Sequence, residues 1–429
     1  MVRKLGFSLL CVQAVHSFRL QISRAKFSNN TLRTLPKMRV SDIDTPSLLL
    51  DLDAFQNNCH RMDQMSSKLG LKLRPHAKSH KSAEIALFQT SLANCSGICV
   101  SKVQEAEAVI KGGVKDVLVT NEIVALPKIE KVIHLLKECD ALSVCCDNKK
   151  NAARLNTANH ESGKKLGVYI EIDVGQGRCG VMPGEACADL VEYIQKECSS
   201  LELRGLQCYS GWNQHVRDVS TRTHRTQEVV DKVERSLLAI LHRKLLSMEE
   251  IAQLVITGSG TGTWTLEATI PFSSPELAFI HEKRRSAFVE LQPGSYAFMD
   301  NEYGQTEPCE STQGHFEQSL FVLTTIMSDA SAHPKWIVVD AGDKAIHPGN
   351  AAIKVSGYPE LSYRRGGDEH GIIEGPEDVL AQAHFEIGRI LKLVPGHCDP
   401  TINFFEEFYG YRGDTLEKVV RIDARGPGR

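Results

Sequence analysis

The chain has 429 residues, 42% hydrophobic and 24% charged, with a formal net charge of −3. These are ordinary globular values, enough for two or three domains, and they exclude a disordered or fibrous chain. The near-neutral balance offers no basic footprint for nucleic acid, and no run approaches the roughly 20 apolar residues of a membrane span.

Residues 1–40 hold eight Lys/Arg and no acid; the first acid is Asp42. Arg3 and Lys4 precede an apolar stretch at 5–15, followed by a hydroxylated basic tract at 18–37. An acid-free, basic, Ser-bearing N-terminus reads as a targeting segment rather than as part of the fold. It matches a bipartite plastid presequence or a mitochondrial one; a disordered basic arm is the plainer alternative. Residues 1–37 are therefore expected to lie outside the fold. The thirteen cysteines are odd in number, scattered and without a CxxC pair. That is neither a disulfide framework nor a zinc finger, and it reads as reduced, buried small hydrophobes in a reducing compartment.

From residue 47 on, short apolar runs alternate with amphipathic stretches. "SLLLDL" (47–52) predicts a strand, and Asp53 a cap for a helix running to about Lys68. Further strands are predicted at 71–75, 96–101, 116–120, 141–146, 166–174, 201–209, 252–258 and 287–292. Apolar runs bounded by turns, with helices such as 101–113 and 226–245 between them, indicate βα units and a parallel sheet. Apart from 47–52 there are eight such strands, the count of a TIM barrel. A doubly wound sheet is the rival, weakened because no GxGxxG opens a helix after the first strand. After about residue 300 the texture changes to strand-like runs at 319–328, 335–342, 383–388 and 389–396, a smaller and mostly β domain.

In a TIM barrel the chemistry sits just after each strand. After the first barrel strand, "RPHAKSHKS" (74–82) packs Arg74, His76, Lys78, His80 and Lys81 together. Clustered cations lower one another's pKa, and a lysine so lowered forms Schiff bases; a solvated basic loop is the bland reading. After the fifth strand, "DVGQGRCGV" offers Arg178 for an anionic oxygen. After the sixth, "CYSGWNQH" holds Tyr209, Gln214 and His215; His215 is a candidate general base or a structural histidine. After the seventh, "TGSGTGTW" (Thr257, Gly258, Ser259, Gly260, Thr261, Gly262) leaves backbone N–H groups free around an anion, or simply makes a turn. An amine after strand one and a phosphate cradle after strand seven together suggest pyridoxal 5′-phosphate. In "VPGHCDP", an extended backbone would put His397 and Asp399 on one face and turn Cys398 away. An imidazole with a carboxylate makes a partial site for Mn, Mg, Fe or Zn; a polar turn is the alternative.

"RPHAKSHKS", "DVGQGRCGV", "TGSGTGTW", "ELQPGSYAFMD", "DEHG" and "VPGHCDPTINFF" occur in that order. Together they resemble the D-threonine aldolase and D-serine dehydratase family, within the alanine racemase-like fold-type III pyridoxal phosphate enzymes, over residues 44–425. The resemblance implies an α/β fold: a cofactor-binding TIM barrel over 53–297 and a C-terminal β domain over 298–429 joined by strand 44–52. It implies a head-to-tail homodimer with the active sites between subunits. It also implies that Lys78 bears the cofactor, Arg178 meets its phenolic oxygen, residues 258–263 hold its phosphate, and His76, Tyr209 and Tyr296 line its pocket. His397 and Asp399 would bind a divalent metal, Mn or Mg first and Zn as an option, beside the substrate β-hydroxyl. Aldolases of this family show His-x-Asp here and dehydratases His-x-Cys, so His397-Cys398-Asp399 favours the aldolase, with Lys78 and His215 catalytic. The expected reaction cleaves a D-3-hydroxy amino acid to glycine and an aldehyde. The runner-up is a D-serine or D-3-hydroxyaspartate dehydratase giving a 2-oxo acid and ammonia. A racemase has no evident need for the metal. A non-catalytic pyridoxal phosphate carrier is the alternative of a different class, disfavoured by the second domain.

Removing residues 1–37 is expected to leave folding and activity intact, because the first strand begins after them. Loss of soluble protein on truncation would show the segment to be part of the fold. A fluorescent reporter fused to it should enter an organelle rather than stay diffuse.

Overall fold

The computed structural model describes residues 38–281, 286–307 and 316–428; the expected targeting segment lies outside them. The first strand, β1 (Ser47–Asp51), runs directly into helix α1 (Leu52–Lys68). Asp51 Oδ1 accepts from the N–H groups of Asp53 and Ala54 at 3.0 and 3.1 Å. This satisfies first-turn donors that a helix leaves unpaired, so the cap is Asp51, two residues before the expected Asp53. Phe55, Cys59 and Met62 recur at helical spacing and are buried. Gly70, at φ +73°, takes the left-handed turn that ends the segment.

Eight parallel strands follow: β2 (Lys72–Leu73), β3 (Ile98–Val100), β4 (Asp116–Glu122), β5 (Ala141–Cys146), β6 (Leu166–Glu171), β7 (Leu201–Cys208), β8 (Val255–Gly258) and β9 (Glu290–Leu291). Their order is β2-β9-β8-β7-β6-β5-β4-β3. Parallel bridges Leu73–Cys95 and His76–Cys99 join the two outer strands, which makes the sheet a closed barrel and rules out the doubly wound rival. The connecting helices are α2 (Ala83–Thr90), α3 (Val103–Lys111), α4 (Leu126–Leu136), α5 (Lys149–Asn159), α6 (Glu185–Glu197), α7 (Val219–His242) and the short α8 (Trp264–Glu267). Their Val, Ile and Leu faces pack on the strands in one continuous core. Arg74 belongs to the barrel interior: Nε meets Glu290 at 2.9 Å and Nη1 meets Asp116 at 2.7 Å. A buried guanidinium needs such partners, so the first cation of the 74–82 cluster is structural.

The second domain is built on β10 (Leu320–Ser328), β11 (Trp336–Val339), β12 (Lys354–Val355), β13 (Ser362–Arg365), β14 (Gly371–Glu374), β15 (Ile390–Val394), β16 (Glu407–Arg412) and β17 (Thr415–Arg421). The strand order β11-β14-β13-β12-β15-β10 returns to β11 through a β10–β11 pairing, giving an antiparallel β-barrel. β1 lies between β10, antiparallel, and β16, parallel. Leu49 sits in that domain's core with Phe321, Leu323 and Tyr411. The strand expected at 383–388 is instead a 3-10 turn, Ala383–Phe385, with only Phe385 buried. A single inward apolar side chain does not make a strand face. β13 escaped sequence reading for the opposite reason: "SYRR" is largely exposed and has no apolar alternation, although it pairs with both β12 and β14. Two short helices complete the part that matters for function: α9 (Asn301–Gly304), after the barrel's last strand, and α10 (Cys398–Ile402), after β15.

Leu49→Ala should cost about 3 kcal/mol in denaturant-monitored stability, the usual range for a fully buried leucine. A loss below about 1 kcal/mol would mean that β1 is not a core strand of the second domain.

Candidate active site

Lys78 stands in the 3-10 turn Ala77–Ser79 that follows β2. His76 caps this turn: its Nδ1 accepts from the Lys78 N–H at 3.3 Å, and its Nε2 meets Thr120 Oγ1 at 3.0 Å. Burial pushes the His76 imidazole well down, so it is held as a neutral acceptor and donor. The other cations of the cluster turn away. His80 Nε2 lies 3.2 Å from Gln89 Oε1, with burial taking its pKa down to about 3. Lys81 Nζ donates to the Lys78 carbonyl at 2.6 Å. Lys78 Nζ forms an ion pair with Asp399 Oδ2, from α10 of the other domain. Burial works against the Lys78 ammonium, but Asp399 and then Tyr209 carry its pKa above lysine's ordinary value. The lowering expected from clustered cations is therefore not what the structure shows: the nearest charge is a carboxylate.

The stretch at 397–399 is not extended. His397 is the N-cap of α10, and Cys398 and Asp399 are its first helical residues. Neighbouring helical side chains diverge by about 100° rather than alternating across a sheet, so the expected face-sharing fails. Asp399 is directed to Lys78, with Oδ1 3.4 Å from Ser295 Oγ and from Cys398 Sγ. Cys398, expected to point away, places its buried thiol with Asp300 and His397, all three donor atoms lying within 4.8 Å of one another.

Asp300 organises this group. It caps α9 through Oδ1, which accepts from Tyr303 N–H at 2.9 Å. Its Oδ2 lies 3.0 Å from His397 Nδ1 and accepts from Cys398 N–H at 2.9 Å. With Nδ1 facing a carboxylate, His397 keeps Nε2 for a ligand, the arrangement in which carboxylates orient metal-binding histidines. Glu302 Oε2 is 3.4 Å from His397 Nδ1; its Oε1 is 3.8 Å from His215 Nδ1 and accepts from Asn350 Nδ2 at 2.8 Å. The His215 ring lies 4.7 Å from that of Tyr303 and 6.1 Å from that of His397. Burial lowers the His215 pKa; burial also opposes charge on His397, but Asp300 and Asp399 raise it. An imidazole, carboxylates and a thiol form a donor set that suits a divalent cation. Asp300 and Glu302 were not singled out from sequence. They follow the last barrel strand, and their only signal is two acids spaced one apart after "AFM".

The loops expected to hold a cofactor lie around the same barrel mouth. Residues 258–263 wrap Gln214: a Cβ at Gly260 would stand 2.2 Å from its Oε1, and one at Gly262 1.9 Å from its carbonyl oxygen. The loop thus holds a tight, side-chain-poor cradle that a phosphate fits. Ser259 adopts φ +74° within it. Thr257 points instead into the barrel, donating to Glu290 Oε1 at 3.1 Å. Thr261 Oγ1 accepts from the backbone N–H of Tyr296 at 3.1 Å. Tyr296 is fully buried and its hydroxyl accepts from Gln89 Nε2 at 3.3 Å, so it meets the loop through its backbone. Tyr209 faces Lys78, and burial lifts its phenol. Arg178 is half exposed, with Nη2 3.8 Å from Glu171 Oε1 and no contact to Lys78 among the described residues. Burial and Glu122 raise Glu171 to about 8.

Residues 50–249 match the alanine racemase N-terminal domain, and residues 319–411 match the serine dehydratase domain. A 3-hydroxy-D-aspartate aldolase of Paracoccus denitrificans (strain Pd 1222) is 37% identical over 397 residues, covering 92% of this chain and 95% of that protein. A D-threonine aldolase of Arthrobacter sp. is 36% identical over 387 residues, covering 90% and 94%. The crystal structure of D-threonine aldolase from Filomicrobium marinum superposes with a TM-score of 0.81 at 32% identity, over 92% of this chain and 99% of that one. With the Lys78 turn, the glycine cradle and the α10 group at one barrel mouth, these matches identify the chain as a lyase of the D-threonine aldolase and D-serine dehydratase family, on the alanine racemase-like fold.

Proposed function

We propose that this chain cleaves D-3-hydroxy amino acids to glycine and an aldehyde, using pyridoxal 5′-phosphate on Lys78 and a divalent metal held by His397 and Asp399. The observation that carries the reading is the meeting of Lys78 with Asp399 across the two domains, beside His397 and His215. When bound, the cofactor supplies an electron sink and the metal a Lewis acid at the β-hydroxyl. Asp300 holds Nδ1 of His397 and keeps that ring turned for coordination. His215 faces Glu302 through Nδ1, so Nε2 is the atom that accepts the hydroxyl proton; a lowered pKa keeps it neutral and ready to do so. That proton balances the one delivered to Cα as the Cα–Cβ bond breaks, so glycine and aldehyde form without net proton uptake. Tyr209 and His76 flank Lys78. Residues 258–263 cradle the phosphate, and Arg178 serves the phenolic oxygen from its loop. The working enzyme is read as a homodimer.

A dehydratase is the second reading, and Cys398 favours it. Its thiol joins Asp300 and His397, and a thiolate ligand shifts the preference toward zinc. The same substrates would then lose the hydroxyl and end as a 2-oxo acid and ammonia.

Borohydride reduction of the yellow holoenzyme followed by peptide mapping should place the label on Lys78; label on Lys81 or Lys102 would overturn the assignment. Chelation should abolish turnover of D-threonine while leaving the colour, with Mn or Mg restoring it. Asp399→Ala should lower turnover by about 100-fold or more, a loss of the size that metal-site mutations bring. If Cys398→Ser loses the metal and Asp399→Ala keeps it, the thiol is the ligand. Product analysis would then be expected to show ammonia and a 2-oxo acid rather than glycine.

A further inference from the structure

The phosphate cradle does not stand alone; it rests on a chain of buried polar groups that continues to the candidate base. Gln214, wholly buried, donates from Nε2 to Thr263 Oγ1 at 2.8 Å and to the Ser210 carbonyl at 3.1 Å. Its Oε1 accepts from the N–H of Gly262 at 3.1 Å. Thr263 Oγ1 passes its own hydrogen to Glu267 Oε2 at 2.8 Å and accepts from Gly260 N–H at 3.4 Å. Ser210 Oγ donates to Glu267 Oε1 at 3.4 Å. Glu267 has no solvent exposure. Burial lifts its carboxyl to about 7 against the hydroxyls of Thr263, Ser259 and Ser210, so it does not stand as a full charge beneath an anion site.

We propose that Gln214, anchored through Thr263 on Glu267, is a positioning residue that holds the 258–263 loop in its phosphate-binding shape and sets His215 in the same step. The proposal rests on the reading of that loop as the phosphate site. Both halves follow from placement. One side-chain amide uses its oxygen and its nitrogen on two residues of the loop, so the loop cannot open without leaving a buried amide unpaired. Gly260 and Gly262 are glycine because the Gln214 side chain and carbonyl occupy the space a Cβ would take. The next residue in the chain is His215, whose ring rests on Tyr303 and faces Glu302. A shift of the Gln214 backbone that relaxes the loop therefore moves the imidazole relative to His397.

The test compares pyridoxal 5′-phosphate with pyridoxal, which lacks the phosphate but reacts with the same lysine. Apoenzyme is titrated with each and binding is read from visible absorbance. Wild type is expected to prefer the phosphate form. Gln214→Leu is expected to weaken pyridoxal 5′-phosphate by about tenfold or more, from the loss of its two hydrogen bonds to the loop, with pyridoxal unchanged. Glu267→Gln, which keeps an acceptor for Thr263, should retain the preference, and Glu267→Leu should lose it. At saturating cofactor, Gln214→Leu should lower kcat with KM little changed. If Gln214→Leu does not fold, as judged by its melting transition, Thr263→Val removes the shared hydroxyl and is expected to behave alike. A wild type without preference for the phosphate form overturns the reading of the loop itself. A wild type with that preference, unaltered in Gln214→Leu or Thr263→Val, overturns the role of Gln214 alone.

Discussion

The contact between Lys78 and Asp399 is the constraint on which the site depends, because it joins a turn of the α/β barrel to a short helix of the β domain. Neither partner reaches the other from within its own sheet. Lys78 is carried by a turn that His76 caps, and Asp399 by a helix whose first N–H, that of Cys398, is tied to Asp300. Two charges taken from water gain little net stability from pairing, but a wrong arrangement that left either one unpaired would be expensive. The pair therefore selects the docking of α10 on the barrel mouth more than it stabilises the fold. His397, Cys398 and Asp399 are consecutive on that helix, so fixing one fixes the direction of all three.

Once that docking is set, the electrostatics of the site separate by domain. The barrel side contributes the amine of Lys78, the imidazole of His215 and a loop of backbone N–H groups beside three glycines. The other side contributes Asp300, Glu302 and Asp399, all buried or nearly so. On the proposed reading the anionic phosphate goes to the 258–263 loop and the cation to α10. The two kinds of ligand cannot exchange places without burying like charges together. Asp300 shows how economically this is done: one carboxylate caps α9, starts α10 and orients His397.

The barrel was legible because each of its strands is an apolar run bounded by turns, a pattern that survives even where β2 and β9 shrink to two residues. The position of Lys78 followed from the same rule, since the end of a barrel strand is set by strand periodicity. The neighbours of Lys78 did not follow. Clustered cations pointed to a lowered amine, yet Asp399 is 321 residues away in the chain and its charge prevails. The HxD stretch misled because period-two alternation was assumed where Pro400 sits in a first helical turn, a position that suits proline. Thr257 borders the cradle in sequence and Tyr296 meets it through its backbone N–H, but core packing turns both side chains away from it. Asp300 and Glu302 had no periodic signal, because their importance comes from α10 folding back onto them.

The two histidines at the centre are sorted by their distance to neighbouring carboxylates. His397 Nδ1 is 3.0 Å from Asp300, within hydrogen-bond reach, and that bond together with Asp399 outweighs the cost of burial. His215 Nδ1 is 3.8 Å from Glu302, too far for a hydrogen bond, and burial prevails. The sequence makes the residues chemically identical, yet their surroundings push them in opposite directions. On this geometry side-chain-to-backbone hydrogen bonds hold the two roles apart. Asp300 is tied to the Cys398 N–H and moves with His397, while His215 sits on a loop locked to the glycine cradle by Gln214.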